Sequence, residues 1–268
     1  MSDSSMEYVT VAIQDRVATV TFDRPPVNAL NAQAFREIER AFTELRHGTD
    51  AHVAIFTAPG ERVFCGGVDL NDSARRHGRE EADGDSIVDL LDPGSIVRDC
   101  FWALSDCPVP VIGAINGAAV GAGLALVACC DVIIASERAR FALPEINAGV
   151  LGGGRHLQRM VGPYKTRKMF YTGEFVGAEE FHRLGAIEKV VPPDELMHEA
   201  RALAEVMATK SPIGLRLAKE SLNRVEDLGL KDGYRLEQDY TGRLTRYHDS
   251  AEARRAYLEK RDPEWTWT

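Results

Sequence analysis

The sequence predicts an α/β core followed by a helical C-terminal region, and three observations support this fold class. Short apolar runs typical of buried strands alternate with amphipathic stretches in the first part of the chain. The strand pattern fades after Tyr164, where only Val190 and Val191 keep it. Apolar residues make up 44% and charged residues 27% of the 268 positions, which is typical of globular proteins. We therefore expect a core over residues 1–200 and a helical region over 201–268.

The N-terminal segment predicts a β-hairpin. Two stretches alternate apolar with other residues, at Val9, Val11 and Ile13 and again at Ala18, Val20 and Phe22. Residues 14–16 lie between these stretches and are predicted to form the turn.

A helix and three buried strands are predicted next. Helical spacing relates four apolar residues, Phe35, Ile38, Phe42 and Leu45. Short apolar runs at 53–57, 109–115 and 132–135 indicate strands buried on both faces. Because strands alternate with helices here, we expect βα units.

The C-terminal part carries helical patterns at 178–184, 194–209, 212–225 and 231–247. The last pattern has one apolar stripe, formed by Leu236, Tyr240, Leu244 and Tyr247. Residues 71–95 combine charged residues with glycine and proline, which predicts an exposed insertion. It is either a plain solvated loop or, because it follows a glycine pair, a wall of the substrate pocket.

Composition and charge exclude several classes of function. A net charge of −9 argues against a general binder of nucleic acid or acidic membranes. The five cysteines lack CxxC spacing, so we expect reduced thiols rather than disulfides or a metal site. The first seven residues are polar, and no window reaches about 18 uninterrupted apolar residues. These features predict a cytoplasmic protein without membrane insertion.

Two glycine-rich segments are candidates for holding an oxyanion. Gly66 and Gly67 let the backbone turn sharply and expose the next N–H, that of Val68. In Gly121-Ala122-Gly123, Ala122 is predicted to begin a helix whose first N–H groups have no internal partner. Two such donors converging on one oxygen form an oxyanion hole.

Each segment also has a purely structural interpretation. Glycines at strand ends are common in turns, and a Gly-Ala-Gly sequence within a helix permits tight packing. The second segment does not fit a dinucleotide-binding fingerprint, because Leu126 stands where the third glycine is required.

Taken together, these segments resemble the enoyl-CoA hydratase/isomerase (crotonase) superfamily over nearly the full length. The segments that carry the resemblance are Asp23–Leu30, Phe64–Leu70, Pro108–Ile112 with Asn116-Gly117, Gly121–Asp131, Phe141–Glu145 and Tyr257–Arg261. The resemblance implies a crotonase-like ββα spiral core and a C-terminal region that serves oligomerisation, as a homotrimer or a dimer of trimers. It also implies an acyl-CoA thioester substrate, with no cofactor beyond the coenzyme A of that substrate.

The resemblance assigns roles to the two glycine segments. The N–H groups of Val68 and Ala122 are expected to hold the thioester carbonyl oxygen. Removing a proton from the acyl chain, or adding a nucleophile to its β-carbon, develops an enolate-like charge on that oxygen. Fixed N–H donors stabilise such a charge without reorganisation.

This chain has one of the two carboxylates that hydratases of the family carry. Hydratases of the family carry two glutamates, and this chain has Ala125 at the first position and Glu145 at the second. Two carboxylates suit the addition of water, whereas one suits moving a proton between carbons. By its resemblance to Δ3,Δ2-enoyl-CoA isomerases we expect Glu145 to be the acid and base. A surface or helix-capping carboxylate is the structural alternative.

His156 is a further candidate. Residues 152–157 depart from the Pro-Gly-x-Gly-Gly-Thr form that is common in hydratases. Together with Ala125, this departure resembles branches that hydrolyse C–C bonds in cyclic β-keto acyl-CoAs, where Glu145 or His156 is the expected base. A structural histidine at a helix start is the alternative. An ordinary enoyl-CoA hydratase and a non-catalytic acyl-CoA binder also remain open.

The resemblance also suggests contacts with coenzyme A. The phosphates of coenzyme A need cationic partners, which an acidic protein must supply locally. Arg62 and Lys260 are the candidates. Lys260 is expected to reach the coenzyme A of a neighbouring subunit. Ala29 and Gly66 lie in matching segments and are expected at the same ligand. Solvated surface positions are the alternative for both cations.

Overall fold

The computed structural model describes residues 6–70, 92 and 94–268, so the predicted insertion at 71–95 lies largely outside the described residues. The strands are Val9–Gln14 (β1), Val17–Phe22 (β2), Ala29–Leu30 (β3), Val53–Thr57 (β4), Val63–Cys65 (β5), Gly67–Val68 (β6), Val111–Ile115 (β7), Ala118–Val120 (β8), Val132–Ser136 (β9), Arg140–Ala142 (β10), Val176–Gly177 (β11) and Lys189–Val191 (β12). The α-helices are Ala32–His47 (α1), Ser95–Ser105 (α2), Ala122–Ala128 (α3), Gly154–Thr172 (α4), Ala178–Arg183 (α5), Leu196–Ala208 (α6), Pro212–Val225 (α7), Leu230–Leu244 (α8) and His248–Glu259 (α9). Short 3₁₀ helices cover Glu145–Ala148 and Pro193–Glu195.

The larger sheet contains the predicted hairpin and the predicted buried strands. Its order is β1-β2-β4-β7-β9-β12, with β1 antiparallel to β2 and the other neighbours parallel. Asp15 and Arg16 form the hairpin turn with φ values of 52° and 66°. These left-handed values are those of a two-residue type I′ turn, which matches the twist of the strands.

A smaller sheet and a short strand pair complete the core. The smaller sheet has the order β11-β10-β8-β5, in which β5, β8 and β10 run parallel. β6 pairs with β3, so that Gly67 lies opposite Ala29 and Val68 opposite Leu30. Because β8 and β10 are parallel neighbours, the residues that follow them meet at one edge of this sheet.

Apolar side chains cover both faces of the larger sheet. One face contacts α1, whose predicted stripe is buried. Within it, Phe42 packs edge-on against Phe56, with ring centroids 5.4 Å apart. The other face contacts α6 through Leu196, Ala200, Ala204 and Ala208.

The C-terminal helices differ in detail from the sequence prediction. The predicted division between residues 200 and 201 falls inside α6, and this helix packs against the sheet. α8 presents Leu236, Tyr240 and Leu244 to α7, as predicted, but ends at Leu244. Including Tyr247 in that stripe was therefore wrong, because it precedes the separate helix α9. Within the described ranges, no helix has the length and apolar character needed to cross a bilayer.

Candidate active site

A largely apolar cavity of about 430 Å³ lies beside the start of α3. Its wall includes the apolar side chains of Leu30, Phe35, Ile96, Val97, Phe101 and Leu151. Val68, Ala122, Ala125 and Glu145 line the same cavity, although they lie on three separate elements: β6, α3 and the first 3₁₀ helix. The structure thus brings together both predicted oxyanion donors and the predicted acid/base.

The N–H group of Val68 is directed away from its partner strand. Asp69 N–H donates to the carbonyl of Leu30 at 2.9 Å. In a parallel ladder only alternate residues direct their N–H toward the same neighbour, so the N–H of Val68 points to the opposite side. Val68 is 40% exposed and lines the cavity.

The second donor lies close to the first. A Cβ added at Gly67 would lie 2.9 Å from the Val120 carbonyl oxygen and 3.8 Å from the nitrogen of Ala122. Gly67 has a φ of 92°, and only a residue without Cβ combines this angle with such a close approach. Since Ala122 is the first residue of α3, its N–H has no partner within the helix.

Gly121 turns the chain from β8 into α3. Its φ of 57° and ψ of −121° lie in a region that only glycine adopts readily. Its own N–H donates to the Ala142 carbonyl at 2.9 Å, which extends the pairing of β8 with β10. The next donor along the chain is therefore the N–H of Ala122, at the cavity wall.

Glu145 follows the end of β10 and contacts Gly121. A Cβ at Gly121 would lie 2.7 Å from Oε1 of Glu145, so the carboxylate occupies the space that a side chain would need. Its Oε2 is buried without a hydrogen-bond partner among the described residues. Burial raises the pKa of the Glu145 carboxyl above its ordinary value, and its own backbone N–H opposes the shift only partly.

The cavity contains one acid/base group in the part of the chain that the structure describes. Of its lining residues, Glu145 alone has a titratable side chain. Ala125 lies in α3 one turn beyond Ala122 and is 1% exposed. At Ala125, where the resemblance leads us to expect the first glutamate of a hydratase, the cavity wall therefore has a methyl group.

His156 lies behind the cavity wall rather than in it. Its ring packs edge-on against Phe101 at a centroid distance of 5.0 Å, and Phe101 lines the cavity. Burial lowers the pKa of His156, and Arg159 and Arg155 lower it further, so the ring is neutral near pH 7. The structure does not bring His156 to the described cavity lining.

The residues predicted to contact coenzyme A differ in their distance from the cavity. Gly66 lines the cavity, and Ala29 is the strand partner of Gly67. Arg62 and Lys260 are exposed and lie outside the described lining. Lys260 ends α9 with a left-handed φ of 54°.

The segment that follows α3 is held by an ion pair between a buried lysine and Asp131, which the sequence analysis missed. Lys219 of α7 is 4% exposed and places Nζ 2.7 Å from Oδ2 of Asp131. The same oxygen accepts the backbone N–H of Val111 at 2.6 Å. No local pattern in the sequence marks this pair, because its two residues are 88 positions apart along the chain.

Comparison with known proteins gives consistent results. The family model for enoyl-CoA hydratase/isomerase matches residues 12–267. The crystal structure of an enoyl-CoA hydratase from Bacillus anthracis is 29% identical, covers 97% of this chain and 99% of its own, and has a TM-score of 0.86. The predicted crotonase-like fold is thereby confirmed.

Two relatives indicate the range of reactions among similar sequences. A protein of Rhodococcus jostii, named (7aS)-7a-methyl-1,5-dioxo-2,3,5,6,7,7a-hexahydro-1H-indene-carboxyl-CoA hydrolase, is 37% identical over 93% of each chain. A probable enoyl-CoA hydratase of Mycobacterium bovis is 34% identical over 97% of this chain and 99% of its own.

We expect Gly121→Ala to destabilise the protein by about 1–3 kcal/mol, because alanine is strained at this backbone geometry and its Cβ meets the Glu145 carboxylate. Urea unfolding measures the change. Gly60→Ala is the matched control, since Gly60 has a φ of 77° and no atom within 4 Å of an added Cβ. Equal losses of stability in the two variants would show that the contact of the added Cβ with Glu145 does not destabilise the protein.

We expect Glu145→Gln to stabilise the protein near neutral pH. Folding raises the pKa of this carboxyl, so its ionisation costs stability as the pH rises from the unfolded-state pKa through the raised one. Wild type and variant should have similar unfolding temperatures near pH 4, and the unfolding temperature of the variant should become the higher one toward about pH 7. Thermal unfolding across this range tests the prediction, with the exposed Glu137→Gln as control. A variant that is less stable than wild type at neutral pH contradicts it.

Proposed function

Because the chain belongs to the enoyl-CoA hydratase/isomerase family, we propose that it moves a proton between carbons of an acyl-CoA, with Glu145 as both acid and base. One observation carries the proposal. Within the described lining of the cavity, Glu145 is the sole titratable side chain, and it lies against the residue that precedes the Ala122 donor.

The backbone supplies the electrostatic part of the mechanism. The N–H groups of Val68 and Ala122 bind the carbonyl oxygen of the thioester. Loss of a proton from the α-carbon makes this oxygen an enolate, and the two donors then bind it more strongly. Losing one such donor typically costs about 3–4 kcal/mol of transition-state stabilisation.

Glu145 supplies the proton transfers. Its carboxylate removes a proton from the α-carbon of a 3-enoyl thioester, and the negative charge spreads along the dienolate. The same carboxyl then returns a proton to the γ-carbon, which leaves a 2-enoyl thioester. The raised pKa of Glu145 suits both steps, because it brings the acid and the base forms closer in free energy near neutral pH.

Ala125 favours this reaction over hydration. Two carboxylates suit the addition of water, because one can deprotonate the water while the other protonates the α-carbon. Ala125 supplies no second carboxylate. The cavity wall around it is also mostly apolar, which provides few partners for an ordered water molecule.

Hydrolysis of a C–C bond in a cyclic β-keto acyl-CoA is the second candidate function. The observation that favours it is the name of the Rhodococcus jostii relative, which acts on a bicyclic dioxo thioester. Here Glu145 deprotonates a water that attacks the ring ketone. The bond from this carbon to the α-carbon then breaks, giving a carboxylic acid and a thioester enolate. The proton held by Glu145 completes the α-carbon, so one water is consumed.

We also propose the assembly and location expected from the sequence, a cytoplasmic homotrimer or dimer of trimers. Support comes from exposed apolar side chains on the C-terminal helices, where Leu230 is 88%, Tyr257 84% and Leu258 80% exposed. Such side chains fit a protein interface. Lys260 lies two residues beyond Leu258, at the C-terminal end of α9.

Solvent-deuterium exchange tests the role of Glu145 without presuming a product. In D₂O the wild type should transfer deuterium into members of an acyl-CoA panel, detected by mass spectrometry. Glu145→Gln should slow this exchange by about 10²–10⁴-fold, while Glu137→Gln should not. Exchange that persists in Glu145→Gln contradicts the assignment. Tight binding without exchange in the wild type would instead indicate a non-catalytic acyl-CoA binder.

Labelled water separates the candidate reactions. Incubation in H₂¹⁸O should give an isomerised thioester without label. Label in a new carboxylate would establish C–C hydrolysis and overturn the isomerase proposal. Label in a new hydroxyl group, with crotonyl-CoA as substrate, would show that hydration proceeds despite Ala125.

A further inference from the structure

Arg159 of α4 holds the last residue of α3. Its Nη1 donates to the carbonyl oxygen of Ala128 at 2.8 Å. This carbonyl is among the last four of the helix, which have no partner within it. Nε of the same guanidinium lies 2.8 Å from Oε1 of Glu226, at the end of α7.

The contact reaches the active site because α3 is very short. Its seven residues span about 10 Å, so Ala122 and Ala128 are the two ends of one rigid unit. α4 packs against α3, and the residues before the two helices also approach each other: a Cβ added at Gly153 would lie 3.8 Å from the Gly121 carbonyl oxygen. A shift of the far end of α3 therefore moves the N–H of Ala122 at the near end.

We propose that Arg159 is a positioning residue for the oxyanion hole. By fixing the C-terminal end of α3 against α4, it sets the place of the Ala122 N–H relative to that of Val68. The guanidinium also lies at the negative end of the helix dipole, where a cation stabilises a helix. This inference rests on the proposed function, because it presumes that Ala122 N–H binds the thioester oxygen.

A neighbouring ion pair provides a matched control. Arg155 lies one turn earlier on α4 and pairs with Asp227 at 2.8 Å, beside Glu226. This pair joins the same two elements but is far more exposed, at 61% and 80% against 34% and 36% for Arg159 and Glu226. The structure shows no bond from Arg155 to α3 in the described residues, so its loss removes an ion pair without releasing Ala128.

The probe is butanoyl-CoA with a ¹³C-labelled carbonyl, a saturated thioester with no double bond to move. Isotope-edited infrared spectroscopy reports how strongly the bound carbonyl is polarised. Deuterium exchange at its α-carbon reports proton removal. Binding and thermal unfolding are measured on the same proteins: wild type, Arg159→Met, Arg159→Lys and Arg155→Met.

We expect Arg159→Met to lower the exchange rate about tenfold, to weaken binding by no more than about threefold and to reduce the carbonyl shift. Arg155→Met should have the exchange rate, the binding and the carbonyl shift of the wild type. Arg159→Lys should recover part of the exchange rate, since an ammonium group can still donate to Ala128.

Two results would overturn the inference. One is an Arg159→Met protein that unfolds more easily but retains the wild-type carbonyl shift and exchange rate, which is a purely structural effect. The other is an equal loss in Arg155→Met. A wild type that binds the probe with neither a carbonyl shift nor exchange would contradict the proposed function itself.

Discussion

The close contact between Glu145 and Gly121 is the constraint on which the site depends. A carboxylate oxygen fills the space where any other residue would carry a Cβ. This geometry needs β8 and β10 to be parallel neighbours, because only then do the residues that follow them meet at one sheet edge. It also needs the unusual backbone angles of Gly121, which direct the chain into α3. Glu145, the proposed acid and base, and the proposed Ala122 donor are thus placed by the same turn.

The position of the Glu145 carboxylate is unfavourable for the folded state. One of its oxygens is buried without a partner among the described residues, and the charged form loses hydration there. The resulting rise brings the pKa of the carboxyl closer to neutral pH, which would favour the proposed proton transfer to and from carbon. The mostly apolar cavity beside it strengthens the same effect.

The helices after residue 200 follow the proposed site in the sequence and also contact the elements that form it. Lys219 of α7 binds Asp131 just beyond α3, and Glu226 holds the guanidinium that donates to Ala128. Both contacts restrain the end of α3 opposite the proposed oxyanion donor. α7, which lies in the predicted C-terminal region, therefore contributes contacts beside the proposed site.

The sequence by itself determined the hairpin, the buried strands, most helices, the two glycine segments and the loss of a second carboxylate at Ala125. These follow from local apolar periodicity, turn chemistry and recognisable short segments. Only the tertiary structure decided that His156 lies behind Phe101 instead of in the described cavity lining, and that Arg159 and Lys219 hold α3. These contacts join residues that are distant in the chain. The order of the strands and the packing of the helices bring them together, and local sequence patterns do not encode either.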